Sequence, residues 1–210
     1  MKYSALIFDF DGTIADTLAE AADIYNILAE QHGYKTVSPQ DIPALRHCSL
    51  KTLTKELGVS KIRLPFLLNK GRKLLKERVD SLSPIEGMIE TIKEIRPLVD
   101  NCGILTSNST ENVELFLENN GIRDLFTFIS STTKLSGKAK HINSICRTFS
   151  INKKDVLYIG DEIRDVKASH KSGISIAAVS WGFNSRDSLE QSSPTYLIDE
   201  PTELFDLVRK

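Results

Sequence analysis

Asp9 and Asp11 close an apolar run, Ala5-Leu6-Ile7-Phe8, with only Phe10 between them and Gly12-Thr13 directly behind. Taking an ionised carboxylate out of water is costly unless a cation or a set of hydrogen bonds compensates it, so two of them at the end of a buried run need a reason. Other chemically capable residues stand in the same kind of place. Thr106-Ser107-Asn108 follow the apolar stretch from Cys102, Lys138 opens a helical pattern after a short strand and its loop, and Asp161 and Asp165 follow Val156 to Gly160. Residues two apart in extended chain project to one side, so Asp9 and Asp11 can reach one crevice while Phe10 points into the fold. Asp161 and Asp165, four apart at a strand-to-helix junction, share a face.

Carboxylates gathered in this way repel one another unless a hard cation sits among them. Oxygen donors with no His or Cys nearby suit Mg2+, with Asp9, Asp11, Asp161 and Asp165 as its candidate ligands. Thr106, Ser107 and Asn108 put hydroxyl and backbone donors at the head of a helix, where an anion is favoured, and Lys138 adds a positive charge. Acid cluster, cation, donors and Lys together describe a pocket for a phosphoryl group, whose transfer is mostly positioning and charge neutralisation. Asp9, at the strand end itself, is the candidate nucleophile, and Asp11 the candidate general acid and base.

The elements that must hold these residues follow from period and punctuation. Strands are expected at "YSALIF", "CGILTS", "FTFIS", "DVLYIG" and "ISIAAVS", with helices between them at Gly87 to Leu98, Glu111 to Asn119, Ala139 to Phe149 and through Lys171. Such alternation implies a doubly wound parallel sheet, an α/β core in which ligands meet the carboxyl ends of the strands. One interval reads as helices only: Leu18 to Glu30, Pro39 to His47, Ser49 to Gly58 and Pro65 to Val79. Residues 1–15 and 84–210 are thus expected to form the core and 16–83 an inserted α-helical cap. The serines and Pro194 near "EQSSPT" read as a surface loop.

The 210 residues are 40% hydrophobic and 26% charged with a net charge of -1, enough to bury a core. No global basic field draws the chain to nucleic acid or a membrane, so an anionic ligand has to be met by a local site. Cys48, Cys102 and Cys146 show no CxxC spacing and read as reduced thiols of a cytoplasmic protein. Neither a signal peptide nor a membrane span is expected.

With these residues in place, the chain resembles the haloacid dehalogenase superfamily of aspartyl-phosphate phosphatases. "FDFDGT", "ILTSNS", "GKAK" and "YIGDEIRD" look like its four motifs, in order. The resemblance implies a Rossmann-like core, Asp9 as nucleophile and metal ligand, and Asp11 as acid/base and ligand through its carbonyl. It further implies Thr106 as phosphate binder, Lys138 as the charge steadying nucleophile and phosphate, Asp161 as metal ligand and Asp165 as an outer partner of Mg2+. Glu162, next to Asp161, is a further oxygen donor beside Asp165, and Lys134 and Lys140 flank Lys138, which the neighbouring Gly137 singles out. "SWGFNSRDSLE" resembles the phosphoglycolate-phosphatase-like branch, in which Trp181 is read here as packing.

In the helical interval Lys and Arg outnumber Asp and Glu between Arg46 and Arg78. Arg46, where two of its helices join, is the candidate contact for the non-phosphate end of an anionic substrate. The leading expectation is Mg2+-dependent hydrolysis of a small phosphorylated metabolite, phosphoglycolate-like or a sugar phosphate. The alternatives are a phosphosugar mutase on the same scaffold and a non-catalytic phosphoacceptor module.

Overall fold

A computed structural model describes residues 2–132 and 137–209. Six parallel strands form one sheet in the order β3-β2-β1-β4-β5-β6. They are β1 (Ala5–Phe8), β2 (Asn101–Thr106), β3 (Phe128–Ser131), β4 (Val156–Gly160), β5 (Ser175–Val179) and β6 (Tyr196–Ile198). Chain order reverses across β1, whose Phe8 lies level with Ile104 of β2 on one side and Ile159 of β4 on the other. The carboxyl ends of these strands therefore open onto the switch point where doubly wound sheets bind ligands.

β1 is apolar throughout because both of its faces are covered. Leu6 and Phe8 join one core cluster with Met88 and Ile92 of α5 (Met88–Ile95) and Val113 and Phe116 of α6 (Thr110–Asn119). Ala5 and Ile7 join the other with Ile142 of α7 (Lys138–Thr148) and Val166 of α8 (Ile163–Ser172). Phe10 continues the alternation beyond the strand, meeting Phe116 edge-on at 5.1 Å between ring centres. Its burial leaves Asp9 and Asp11 to turn the other way.

Between β1 and α5 the chain is helical: α1 (Leu18–His32), α2 (Ile42–Leu45), α3 (Leu50–Glu56) and α4 (Leu64–Lys76). These helices enclose an apolar cluster of their own, with Ile24, Leu28, Leu57 and Leu67 buried in it. The two strands of chain that connect this interval to the sheet are fastened to each other. Asp16 N donates to Ser83 O at 2.9 Å and Ile85 N to Ile14 O at 2.8 Å.

α2 is shorter than the expected Pro39 to His47. A turn closed by Asp41, whose carboxylate accepts from Ser38 N and Oγ, occupies its start. At its end the carbonyls of Arg46, His47 and Cys48 are taken by the chain beyond β5, from Ser185 N, Ser188 Oγ and Asn184 Nδ2. Beyond β5 the chain adds α9 (Arg186–Gln191), β6, a 3-10 turn at Pro201–Glu203 and α10 (Leu204–Arg209), each too short to show a period in the sequence. α9 and β6 flank the loop expected around Pro194. Among the described residues no helix is long and apolar enough to cross a membrane, and the three cysteines are free.

Candidate active site

Asp9 is 2% exposed. One of its oxygens accepts from Phe10 N at 2.8 Å and the other is paired with the ammonium of Lys138. Lys138 also donates to Asp165 Oδ1 at 2.6 Å, so one ammonium holds two carboxylates across the ends of β1 and β4. Lys138 is the first residue of α7, where the helix dipole disfavours a cation; the two carboxylates offset that. Asp165 reaches Lys138 from the first turn of α8, and its second oxygen accepts from Glu162 N at 3.2 Å, fixing the start of that helix.

Oxygens of Asp9, Glu162 and Asp165 come within 4.8 Å of one another, a set that could hold a metal ion. Asp11 and Asp161, also expected as ligands, lie outside this triplet. Asp161 is fully buried, accepting from Thr13 Oγ1 at 2.9 Å and from Phe183 N at 2.7 Å. Gly12 and Gly182 enclose it. At Gly12, where φ is 71°, an added Cβ would stand 2.5 Å from Asp161 Oδ2. The turn behind Asp11 therefore requires glycine twice over, for its backbone conformation and for room.

Asp11 is steered by Asn108, whose Nδ2 donates to Asp11 Oδ1 at 3.0 Å. Asn108 is in turn held through Oδ1, which accepts from Ser109 N at 2.8 Å and Asn112 Nδ2 at 3.0 Å. Thr106 is fully buried, its hydroxyl accepting from Asn108 N at 2.9 Å, so it shapes the loop behind β2 while Ser107 and Asn108 line the crevice. Lys140 is exposed, and Lys134 lies outside the described residues.

Two cations enter the site that the sequence reading did not assign to it. Arg164 of α8 donates from Nε to Glu162 at 2.8 Å and from Nη2 to Ser107 Oγ at 3.2 Å. Arg72 of α4 donates from Nε to Ser107 O at 2.7 Å, bringing the helical interval onto the loop behind β2. A signal for Arg72 existed: it falls four residues after Leu68 and three before Leu75, a charge on the apolar stripe of α4. Arg46, expected to touch substrate, has its Nη2 on Ser180 O at 2.7 Å and Asn184 O at 3.4 Å. It borders the crevice as a tie between helical interval and sheet.

Burial pushes Asp9 up to about 7, against the pull of Lys138, and Asp11 up to about 6, against the hydrogen bond from Asn108. Burial, with Glu162 and Asp9 close by, holds Asp161 well above the usual carboxylate range. Burial works against the charge of Lys138 and Arg164 as well, but the surrounding carboxylates outweigh it and both stay firmly protonated. Were all five ionised, Asp9, Asp11, Asp161, Glu162 and Asp165 would exceed Lys138, Arg164 and Arg72 by two negative charges, which is why burial holds protons on Asp9, Asp11 and Asp161. An oxygen-only donor set with that excess fits a hard divalent cation.

A crevice of about 370 Å3 runs from this cluster into the helical interval, lined at the sheet end by Asp11, Ser107, Asn108, Glu162 and Arg164. Asp9 does not line it; Asp11 and Glu162 are the carboxylates that a ligand there would meet.

The family profile of haloacid dehalogenase-like hydrolases matches residues 6–179. A phosphoglycolate phosphatase of Synechococcus elongatus is 33% identical over 204 residues, covering 97% of this chain and 96% of that protein. The pyrophosphatase PpaX of Bacillus thuringiensis is 23% identical over 214 residues, covering 99% and 97%. A haloacid dehalogenase-like family hydrolase of Streptococcus pneumoniae has the same fold, with a TM-score of 0.82 at 20% identity over 98% of each chain.

Proposed function

The chain belongs to the haloacid dehalogenase-like hydrolases, and from that premise we propose that it is a phosphatase which hydrolyses a small phosphomonoester through an aspartyl-phosphate on Asp9, with Mg2+ as cofactor. The observation that carries this reading is the buried Asp9–Lys138–Asp165 bridge beside an Asp11 whose carboxylate is aimed by Asn108.

An oxygen of Asp9 attacks phosphorus while the bond from phosphorus to the leaving oxygen breaks, and Asp11 gives that oxygen its proton. Asp11, now a carboxylate, takes a proton from water as its oxygen attacks the aspartyl-phosphate, which returns Asp9 and releases inorganic phosphate. A carboxyl raised to about 6 holds its proton near neutral pH long enough to serve in both directions. Lys138 keeps Asp9 oriented and offsets charge on the transferring group, with Arg164, Ser107 and Asn108 as the remaining phosphate-side partners and Thr106 holding the loop behind β2 in place. Asp9, Asp11, Asp161 and Asp165 would hold Mg2+, with Glu162 as a further oxygen donor beside them; bound there, the ion would supply the charge neutralisation that lets an anionic nucleophile meet an anionic ester.

Residues 16–83 act in this reading as a cap over the strand ends, and a small phosphorylated metabolite is the partner. Free thiols at Cys48, Cys102 and Cys146 agree with a cytoplasmic setting.

Phosphate release from a panel that includes phosphoglycolate, sugar phosphates and pyrophosphate, with Mg2+ and with chelator, tests the proposal. Turnover is expected only with the metal, and Asp9→Asn is expected to lower it at least about a thousandfold. Metal-independent cleavage that survives in Asp9→Asn would overturn it.

A further inference from the structure

The crevice changes character along its length. At the sheet end it is polar, but in the helical interval its walls are Ile24, Leu28, Val37, Leu45, Leu53 and Leu67. From residues 16–83 only two charged side chains line it, Arg46 and Arg72. Both are turned to the sheet, Arg46 onto Ser180 O and Asn184 O and Arg72 onto Ser107 O beside Asp11. Of the other polar groups of the interval that line the crevice, Tyr25 OH donates to Lys35 O at 2.7 Å and Thr54 Oγ1 to Lys51 O at 3.1 Å, while Thr17 Oγ1 and Arg46 Nε have no partner among the described residues. A second carboxylate or a ring of sugar hydroxyls placed among the leucines would lose water and gain no partner from them.

Gly71 adds an independent observation. It sits inside α4 and lines the crevice, and glycine is among the poorest residues for a helix interior. No close packing demands it, since an added Cβ would meet Ile24 Cγ2 at 3.7 Å, an ordinary contact. The missing side chain leaves room in the crevice. With a volume of about 370 Å3 the space is that of a small-molecule site.

We infer that the crevice binds the hydrocarbon part of its substrate, so that the favoured phosphomonoesters are those of uncharged aliphatic alcohols, with the phosphate at Asp11, Ser107 and Arg164 and the chain among the leucines of the helical interval. The inference rests on the phosphatase reading for its chemistry and on the crevice for its selectivity. Water cleaves such an ester into the alcohol and inorganic phosphate, and nothing else is consumed.

The test is a series of n-alkyl phosphates from methyl to octyl, assayed with Mg2+ for kcat/KM, beside calorimetric titration of the matching alkyl phosphonates, which bind without turning over. Each added methylene is expected to raise kcat/KM and phosphonate affinity up to about fourfold until the crevice is full. Phosphoglycolate, with fewer methylenes to bury, is expected to trail butyl phosphate by at least about tenfold. Gly71→Leu, which fills the crevice, is expected to lower the octyl-to-methyl ratio at least about tenfold without lowering the melting temperature. Phosphonate affinities flat with chain length would overturn the apolar subsite whatever the turnover. Affinities that climb while no ester is hydrolysed would overturn the phosphatase reading and leave the subsite standing.

Discussion

Asp161 and Asp9 end neighbouring strands and are both buried, yet they have opposite company: Asp161 accepts only neutral donors from Thr13 and Phe183, whereas Asp9 is paired with Lys138. Both are costly to ionise without a metal, and pH dependence follows from that. Asp9 and Asp11 titrate at about 7 and about 6 in the fold, above the value of about 3.9 for an unfolded Asp. A carboxyl raised on folding stabilises the fold while protonated, so this contribution is complete below about pH 4 and is lost as pH climbs through the two folded values. Hydrogen bonds from Ser38 and Ser180 hold Asp41 and Asp199 below the usual range, but their opposite effect acts at lower pH. The metal-free chain should therefore melt at lower temperature at about pH 8 than at about pH 5, and Mg2+, which needs ionised ligands, should raise the melting point by several degrees at the higher pH and hardly at the lower. Thermal scans of chelated and Mg2+-loaded protein at both pH values check this. A metal-free melting point that rises across the interval would contradict it. Asp9, Asp11 and Lys138 were legible because each breaks an apolar pattern or follows a strand. Arg164 was not, since a charge in the first turn of a helix ordinarily faces water; only the fold shows Glu162 and Ser107 on either side of it.

The elements divide by length into those the sequence announces and those it does not. β1, β2, β4 and β5 are buried apolar runs, and α1 and α6 have enough turns for a 3.6-residue period to emerge. β6 has 3 residues, and α9 and α10 have 6 each, too few for either period, and their places are set by packing against elements already formed. The loop before α9 matters most for the site. Asn184 Nδ2 donates to Arg46 O at 3.0 Å and to Cys48 O at 3.1 Å, while its Oδ1 accepts from Ile163 N at 2.9 Å. One side chain thus joins the end of α2 to the start of α8. Asn184→Ala strands Ile163 N and Cys48 O, and a loss of about 1–3 kcal/mol is expected in urea unfolding. The exposed Asn69→Ala serves as control, with a change within about 0.5 kcal/mol. Equal effects of the two substitutions would mean that the Asn184 junction adds nothing.

At the scale of the molecule, the helical interval has an apolar cluster of its own, which Leu82 shares with the larger cluster beside the sheet. Alternation of strands and helices implied a parallel sheet, but the order β3-β2-β1-β4-β5-β6 was beyond the sequence, because pairing partners are remote in the chain and every central strand is apolar on both faces. The helical interval was legible as an insert because its strand signals stop at Asp11 and resume only near Asn101. Among the ties that join it to the core are the paired crossing at Ile14 to Asp16 and Ser83 to Ile85, Arg46, Arg72 and Asn184, and Asn112 Nδ2, which donates to Arg72 O. Local opening follows the weakest set of buried contacts. The cluster around Leu28, Leu57 and Leu67 is smaller than either cluster flanking the sheet and borders a crevice on one side, so amides of α3 and α4 should exchange with solvent at lower denaturant than those of β1 and β4. Native-state hydrogen exchange across a denaturant series reads both sets in one sample. A ligand that bridges Asp11 and the leucine walls binds only while those helices are in place, so octyl phosphonate with Mg2+ should bring the helical amides toward the protection of the strands, whereas methyl phosphonate, confined to the polar end, should leave the gap wide. Exchange of α3 and α4 in step with β1 before any ligand is added would mean that helices and sheet open as a single unit.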